Sequence, residues 1–299
     1  YHKISKCVVV LLGLNLIFLL LVFTPLGGDY NGGRRWLAFG PVSFQPGELL
    51  KFTFIFYVAA WLANNKKRAT SFFGGFLPFL MLSGVTGLLI VMQPATTTGV
   101  IVFASALVTY FVGGGRIKFL GLFILIGVLA VAAVLLITKD YRLKRITSFL
   151  SPEKTDELGS GYHRNQALTA VGSGGLFGVG YGKSTTKIKY LPEPEGDSIF
   201  AVIAEELGFF GSSLTLLLFS VLFFRGLKIA REARDSLGCL LVIGFSSVIA
   251  VQTIINVGAI SGVFPLTGVP LPFVSYGSSA FATMMLISGI ILNVSRYRK

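Results

Sequence analysis

The chain reads as long apolar runs separated by short polar connections. A helix needs about 20 residues to cross the roughly 30 Å hydrocarbon layer, and stretches of that kind, uncharged or nearly so, recur from end to end. Eight are expected to span: Cys7 to Phe23, Leu49 to Ala63, Phe72 to Met92, Thr96 to Val112, Phe119 to Thr138, Ser198 to Phe224, Leu237 to Val257 and Gly277 to Val294. The second and fourth are short. One connection breaks the rhythm, the segment 139–197 between the fifth and sixth spans, and a loop longer than about 15 residues is usually functional or disordered. Within it "YRLKRITSFL" (141–150) spaces Leu143, Ile146 and Leu150 at helical intervals among basic residues, the pattern of a helix lying in the interface. "YHRNQALTAVGSGGLFGVGYG" (162–182) then runs from a short helix into six glycines within eleven residues, where backbone can approach a ligand or another helix closely. The connection "GAISGVFPLTGVPLPFVSYG" (258–277) has three prolines and no charge. Irregular backbone at membrane depth is tolerated only where protein buries it or it lines a cavity, so a re-entrant loop roofing an internal pocket is expected there. The predicted fold class is an all-α polytopic membrane protein. It has eight transmembrane helices and a long extracytoplasmic loop containing short interfacial helices, in one integral membrane domain over 1–299.

Composition agrees and excludes the soluble classes. Of the 299 residues 53% are hydrophobic and 13% charged, with a mean hydropathy of +0.77, whereas about a quarter of a soluble globular domain is charged. Lys and Arg orient the chain, because they accumulate in short cytoplasmic loops. Alternate connections carry Lys3 and Lys6, then Lys66, Lys67 and Arg68, then Arg116 and Lys118, then Arg225, Lys228, Arg231 and Arg234, and finally Arg296, Arg298 and Lys299. The intervening short connections are nearly free of positive charge, and long loops cross largely regardless of charge, so 139–197 is assigned to the outside. The net charge of +13 suits anionic headgroups and lipid phosphates, and no nucleic-acid partner is expected. Cys7 and Cys239 fall near cytoplasmic ends, where thiols stay reduced, so no disulfide is expected. The chain begins at Tyr1 with no signal peptide ahead of the first span, which fits the interior of a longer chain.

Several residue groups carry candidate chemistry. Glu48 and Lys51, in "FQPGELLKF", lie three apart on one helical face at the outer end of the second span. Ionisable residues at that depth mark function or a structural pair, and each is the other's natural partner. Arg34 and Arg35, in "GGRRWLAFG", place positive charge against the topology rule. Arginine's planar fork suits phosphate, and interfacial snorkelling beside Trp36 is the alternative. "YLPEPEGDSIFAVIAEELGFFGS" (190–212) concentrates Glu193, Glu195, Asp197, Glu205 and Glu206 at the mouth and first half of an apolar helix. Asp197 could cap that helix or serve as a general base, while Glu205 and Glu206, some 12 to 14 Å down the axis, should face protein or a wet cavity. The glycines make neither a Walker A loop, since Phe177 occupies the place of its first glycine, nor a potassium filter. Although "GVGYG" is close to the filter sequence, Lys183, Lys187 and Lys189 follow it and would repel cations.

In order and spacing, "GGRRWLAFGPVSFQPGELLKF", "QALTAVGSGGLFGVGYGKSTTKIKYLPEPEGDSIFAVIAEELGFFGS" and "INVGAISGVFPLTGVPLPFVSYGSSA" closely resemble the signature segments of the SEDS family of bacterial peptidoglycan polymerases (FtsW/RodA/SpoVE). Matching segments cover nearly the whole chain, and the resemblance is nearer to the division-type FtsW branch than to the RodA branch. It implies ten spans, two of them ahead of Tyr1, in the bacterial cytoplasmic (inner) membrane with the active site on its extracytoplasmic side. It implies a glycosyltransferase that joins lipid II disaccharide units into glycan strands for septal wall synthesis and releases undecaprenyl diphosphate. Asp197 matches the family's essential aspartate and is the expected general base. Arg34, Arg35, Glu48, Lys51, Gln166, Lys183, Glu205 and Ser275 are the expected substrate-binding residues, and a divalent cation, Mg or Mn, could share the neutralisation of the diphosphates. The implied partners are a class B penicillin-binding protein and division regulators. Two departures stand out: "QPATTT" puts Ala95 where the family usually has an acidic residue, and "SYGSSA" changes the usual run at Ser278 and Ala280. A lipid II flippase is the alternative function, since basic loops and intramembrane carboxylates would also serve transport.

Overall fold

The computed structural model describes residues 1–30, 33–40, 42–65, 67–137 and 160–297, and they gather into two compact units. The first unit comprises Tyr1–Val128, Phe223–Val251 and Ser278–Lys299, the second Leu129–Leu222 and Gln252–Gly277. In chain order the helices are α1 (His2–Lys6), α2 (Val8–Leu21), α3 (Pro46–Ala63), α4 (Leu77–Met92), α5 (Thr96–Val112), α6 (Ile117–Ile137), α7 (Ser160–Ser173), α8 (Thr186–Lys189), α9 (Ile199–Arg231), α10 (Ser236–Ile260) and α11 (Ser278–Arg296). Each of the eight apolar runs folds as a helix. Six are long and apolar enough to cross a membrane, while α2 and α5, at 14 and 17 residues, are shorter. The interfacial helix expected over 141–150 lies outside the described residues.

The all-α expectation needs one correction. Residues 27–44 contain a three-stranded antiparallel sheet, β1 (Gly27–Tyr30), β2 (Gly33–Phe39) and β3 (Val42–Phe44), in the order β1-β2-β3. Its cues are turn chemistry rather than alternation: Asn31-Gly32 and Gly40-Pro41 are turn-favouring pairs, and Trp36, Leu37 and Phe44 supply strand-prone side chains. Strands of three to seven residues hardly register as a period beside spans several times longer. Leu37, fully buried, pairs with Gly27 on one side and Phe44 on the other, while Arg34 stands opposite Asp29 in register.

In the first unit α3 is the inner helix. It packs against α2, α5 and α11, and Phe52, Phe54, Ile55 and Phe56 are all buried, as expected for a helix that is apolar all round. Its polar exception is the expected pair: Lys51 Nζ donates to both Glu48 oxygens at 2.7 and 2.9 Å, with Lys51 wholly enclosed and Glu48 3% exposed. As placed, the two charges satisfy each other within α3. Removing one member of a buried pair strands the other charge at a cost of about 3–5 kcal/mol, whereas replacing both with apolar groups is often neutral. Lys51→Met should therefore lower the thermal unfolding midpoint of the detergent-solubilised protein sharply, and Glu48→Leu combined with Lys51→Met should recover most of the loss.

The second unit has its core where α7, the start of α9, the end of α10 and the connection 261–277 meet: Ala170, Leu191, Phe200, Ala201, Ile260 and Leu271 are buried together. The small side chains of Ala167 and Ala170 on one side and Ala201 on the other let helices approach closely.

Candidate functional site

The second unit is organised by a break in α9. Gly208 departs from helical geometry, with φ 64° and ψ −161°, a region open essentially to glycine alone. A break frees carbonyls above it and N–H groups below it, and the glycine-rich segment takes up both. Val179 and Gly180 donate to the carbonyls of Glu205 and Glu206 at 2.9 and 3.1 Å, while Phe209 and Phe210 donate to the carbonyls of Gly175 and Leu176 at 2.9 and 3.2 Å. The approach leaves no room for side chains, since a Cβ on Gly174, Gly178 or Gly208 would collide with backbone atoms of the opposite segment.

One turn above the break, Glu205 and Glu206 are 2% and 6% exposed. Glu205 accepts from the Ser184 hydroxyl at 2.5 Å, from the Thr186 hydroxyl, and from the Thr185 N–H at 3.2 Å. Glu206 accepts from the Gly182 N–H at 2.9 Å and from Lys187 Nζ at 2.5 Å. Both carboxylates thus clasp residues 182–187 onto α9. Glu205, an expected substrate-binding residue, has its oxygens occupied by the loop and so anchors residues 184–186.

Asp197 stands two residues before α9, after an approach that Pro192 and Pro194 keep non-helical. It is half-buried rather than enclosed. Its carbonyl accepts at 2.8 Å from the side-chain amide of Asn256 on α10, whose nitrogen also donates to the Val269 carbonyl at 2.7 Å. One turn earlier, Gln252 donates to the Pro270 carbonyl at 2.8 Å. These two polar side chains of α10 tie the Asp197 backbone to the connection 261–277. Within that connection Gly268, at φ 65°, borders the carboxylate: a Cβ there would lie 3.6 Å from Asp197 Oδ2. Tyr276 closes the far end by donating its N–H to the Glu195 carbonyl at 2.7 Å. Next to Asp197, the Ser198 hydroxyl donates to the Pro192 carbonyl at 2.9 Å and lies 2.7 Å from His163 Nε2 on α7.

Of the other expected residues, Gln166 is half-buried on α7, and Lys183 is exposed at the end of the glycine run. Ser275 is 7% exposed and accepts the Leu271 N–H at 2.7 Å, so it shapes the connection beside Asp197. Asp197, Gln166, Lys183, Glu205 and Ser275 all belong to the second unit; Arg34, Arg35, Glu48 and Lys51 belong to the first. Arg34 is exposed on β2, and Arg35 folds its side chain over Gly33. Ala95 is 9% exposed at the N-cap of α5, a position where it offers no side-chain cap. Asn256, Gln252 and His163 are the residues that sequence reasoning missed. Two amides four apart on an otherwise apolar helix were the available signal. Among the described residues no group of three His, Cys, Asp or Glu comes together, and a Mg or Mn ion, which usually rests on one or two carboxylates plus substrate phosphates, does not require one.

Apolar helices of spanning length, one of them broken at glycine and preceded by a partly exposed carboxylate on a braced loop, define a multi-pass membrane protein. The chain belongs to the FtsW/RodA/SpoVE family of cell cycle proteins, whose model matches residues 1–299. It is 46% identical over 285 residues to stage V sporulation protein E of Bacillus subtilis, covering 94% of this chain and 76% of that relative. It is 39% identical over 285 residues to the probable peptidoglycan glycosyltransferase FtsW of Coxiella burnetii, covering 93% and 76%. Among solved structures it matches a chain from work on the coordination of polymerization and crosslinking by a peptidoglycan synthase complex, with a TM-score of 0.83 at 27% identity over 100% of this chain and 83% of that one. It also matches the rod shape determining protein RodA of Thermus thermophilus, with a TM-score of 0.70 at 26% identity over 99% and 80%.

Proposed function

We propose that this protein is a peptidoglycan glycosyltransferase, polymerising lipid II at the outer face of the bacterial cytoplasmic membrane during septal wall synthesis. The observation that carries the site assignment is Asp197: a carboxylate neither buried nor loose, its backbone held by Asn256 and its side chain beside the bare Cα of Gly268. Relatives named as peptidoglycan glycosyltransferases support the reaction class. In the proposed reaction the 4-hydroxyl of one disaccharide gives its proton to Asp197 as its oxygen bonds to the anomeric carbon of the growing chain. The bond from that carbon to undecaprenyl diphosphate breaks, and the diphosphate leaves with the electron pair. Because diphosphate is already a good leaving group, one carboxylate base suffices, without the acid and base pair of glycoside hydrolysis. Lys183, in the same unit as Asp197, supplies positive charge toward the diphosphates, an electrostatic contribution of the kind that stabilises developing negative charge. By analogy with the synthase complex, a class B penicillin-binding protein is the proposed partner for cross-linking, with division regulators beside it.

The deciding experiment supplies the purified protein with lipid II in detergent, alone and with the partner, and looks for glycan strands on a denaturing gel. Strands released with undecaprenyl diphosphate are the expected product. Their absence in both conditions, together with lipid II crossing a vesicle bilayer, would replace this reading with the flippase.

A further inference from the structure

We propose that the glycine-rich segment 174–183 is a wedge inserted into the outer leaflet, its apolar side chains in contact with lipid acyl chains rather than with water. The depth scale is set by α9. Between Glu206 and Arg225 lie 18 residues, 207–224, without a charge. At 1.5 Å per residue they rise about 27 Å, close to the roughly 30 Å of hydrocarbon. Arg225, Lys228 and Arg231 mark the cytoplasmic edge, so the outer edge of the hydrocarbon falls near Leu207. Phe209 and Phe210 sit in the first turn below that edge, 62% and 57% exposed, and Leu214, Leu217 and Leu218 continue the same lipid-facing surface downward.

The segment is fastened at this level. The carbonyls of Gly175 and Leu176 take the N–H groups of Phe209 and Phe210, and the Phe177 ring lies 5.3 Å from that of Phe210. Leu176 and Phe177 are themselves 60% and 78% exposed, so they extend the apolar face of α9 without a break. Non-helical backbone can enter hydrocarbon only where its polar groups find partners, and here the break at Gly208 supplies them for the N–H groups of Val179 and Gly180 and the carbonyls of Gly175 and Leu176. The polar side chains that follow are divided between inside and outside. Ser184 and Thr186 turn inward to Glu205, whereas Tyr181, 89% exposed, and Lys183, also exposed, stand where an amphipathic ring meets headgroups and an ammonium meets phosphate. Continuity with the lipid face of α9 is what favours lipid over a partner protein as the occupant.

The test uses the full chain with Cys7 and Cys239 replaced by Ser, carrying Phe177→Cys labelled with an environment-sensitive fluorophore. The protein is placed in vesicles of phosphatidylethanolamine and phosphatidylglycerol. Labels at Leu217→Cys, on the lipid face, and Glu193→Cys, on the exposed approach to Asp197, give the two reference levels. Quenching by bromine-bearing acyl chains at position 177 should come within about two-fold of that at 217, as expected for an element seated about 5–10 Å into the leaflet, with aqueous iodide having little effect. Iodide quenching at the level of position 193 would show a water-exposed loop and overturn the proposal. So would protection from both quenchers, which would mean that protein covers the segment. If the cysteine variant fails to fold, Phe177→Trp reads the same contact through bromolipid quenching of the added tryptophan emission.

Discussion

Asp197→Asn is expected to abolish glycan polymerisation while leaving lipid II binding and the folded state unchanged. The substitution keeps the shape of the side chain and leaves the clamp in place, because Asn256 holds the carbonyl of residue 197 rather than its carboxylate. What goes is the ability to accept a proton from the attacking hydroxyl. General-base help is typically worth about 10²- to 10⁴-fold, or roughly 3 to 5 kcal/mol of barrier, so product should fall below what a gel detects. A polymerisation time course with fluorescent lipid II measures the rate, and thermal unfolding in detergent checks the fold. Wild-type rates in the variant would return Asp197 to a structural role at the mouth of α9 and remove the chemical basis of the proposed function.

Gly208→Ala is expected to destabilise the second unit strongly. At φ 64° and ψ −161° a side chain carries backbone strain of order 1–3 kcal/mol. The added Cβ would also press into the backbone of Gly178 and Leu176, which cannot yield as a flexible side chain could, adding overpacking of typically about 1–3 kcal/mol. Against a total stability of about 5–15 kcal/mol that is enough to release the glycine-rich segment from α9. Limited proteolysis should then cut between residues 174 and 197 at protease concentrations the parent resists. Gly172→Ala is the control. Nothing lies within 4 Å of the added methyl, and alanine is tolerated in the last turn of α7, so its cleavage pattern should match the parent's. Equal resistance of Gly208→Ala would mean that the break does not need glycine.

Legibility varied with the range of the physics involved. The eight helices could be read because apolar length is a property of consecutive residues, and water or lipid sorts such runs whatever lies elsewhere in the chain. Asp197 was visible as an acid out of place at a helix mouth, and the resemblance gave it a role. The small sheet was missed because its evidence lay in two turn dipeptides rather than in any period. The Glu48–Lys51 pair was legible as an i, i+3 partnership, and Glu205 was placed on its helix, yet sequence could not say that the loop 184–186 occupies the Glu205 oxygens.

What the amino-acid order determined by itself is therefore the membrane character, the helices and the presence of scarce carboxylates at the top of α9, since all of these follow from local composition and spacing. Only the tertiary structure decided that Glu205 and Glu206 are spent on holding the fold while Asp197 is left partly accessible. That division depends on hydrogen bonds between segments 19 to 59 residues apart in sequence, from Thr186 to Glu205 and from Asn256 to Asp197. Such partners are chosen by packing and by the cost of leaving a buried polar group unpaired, and neither can be summed along one stretch of chain.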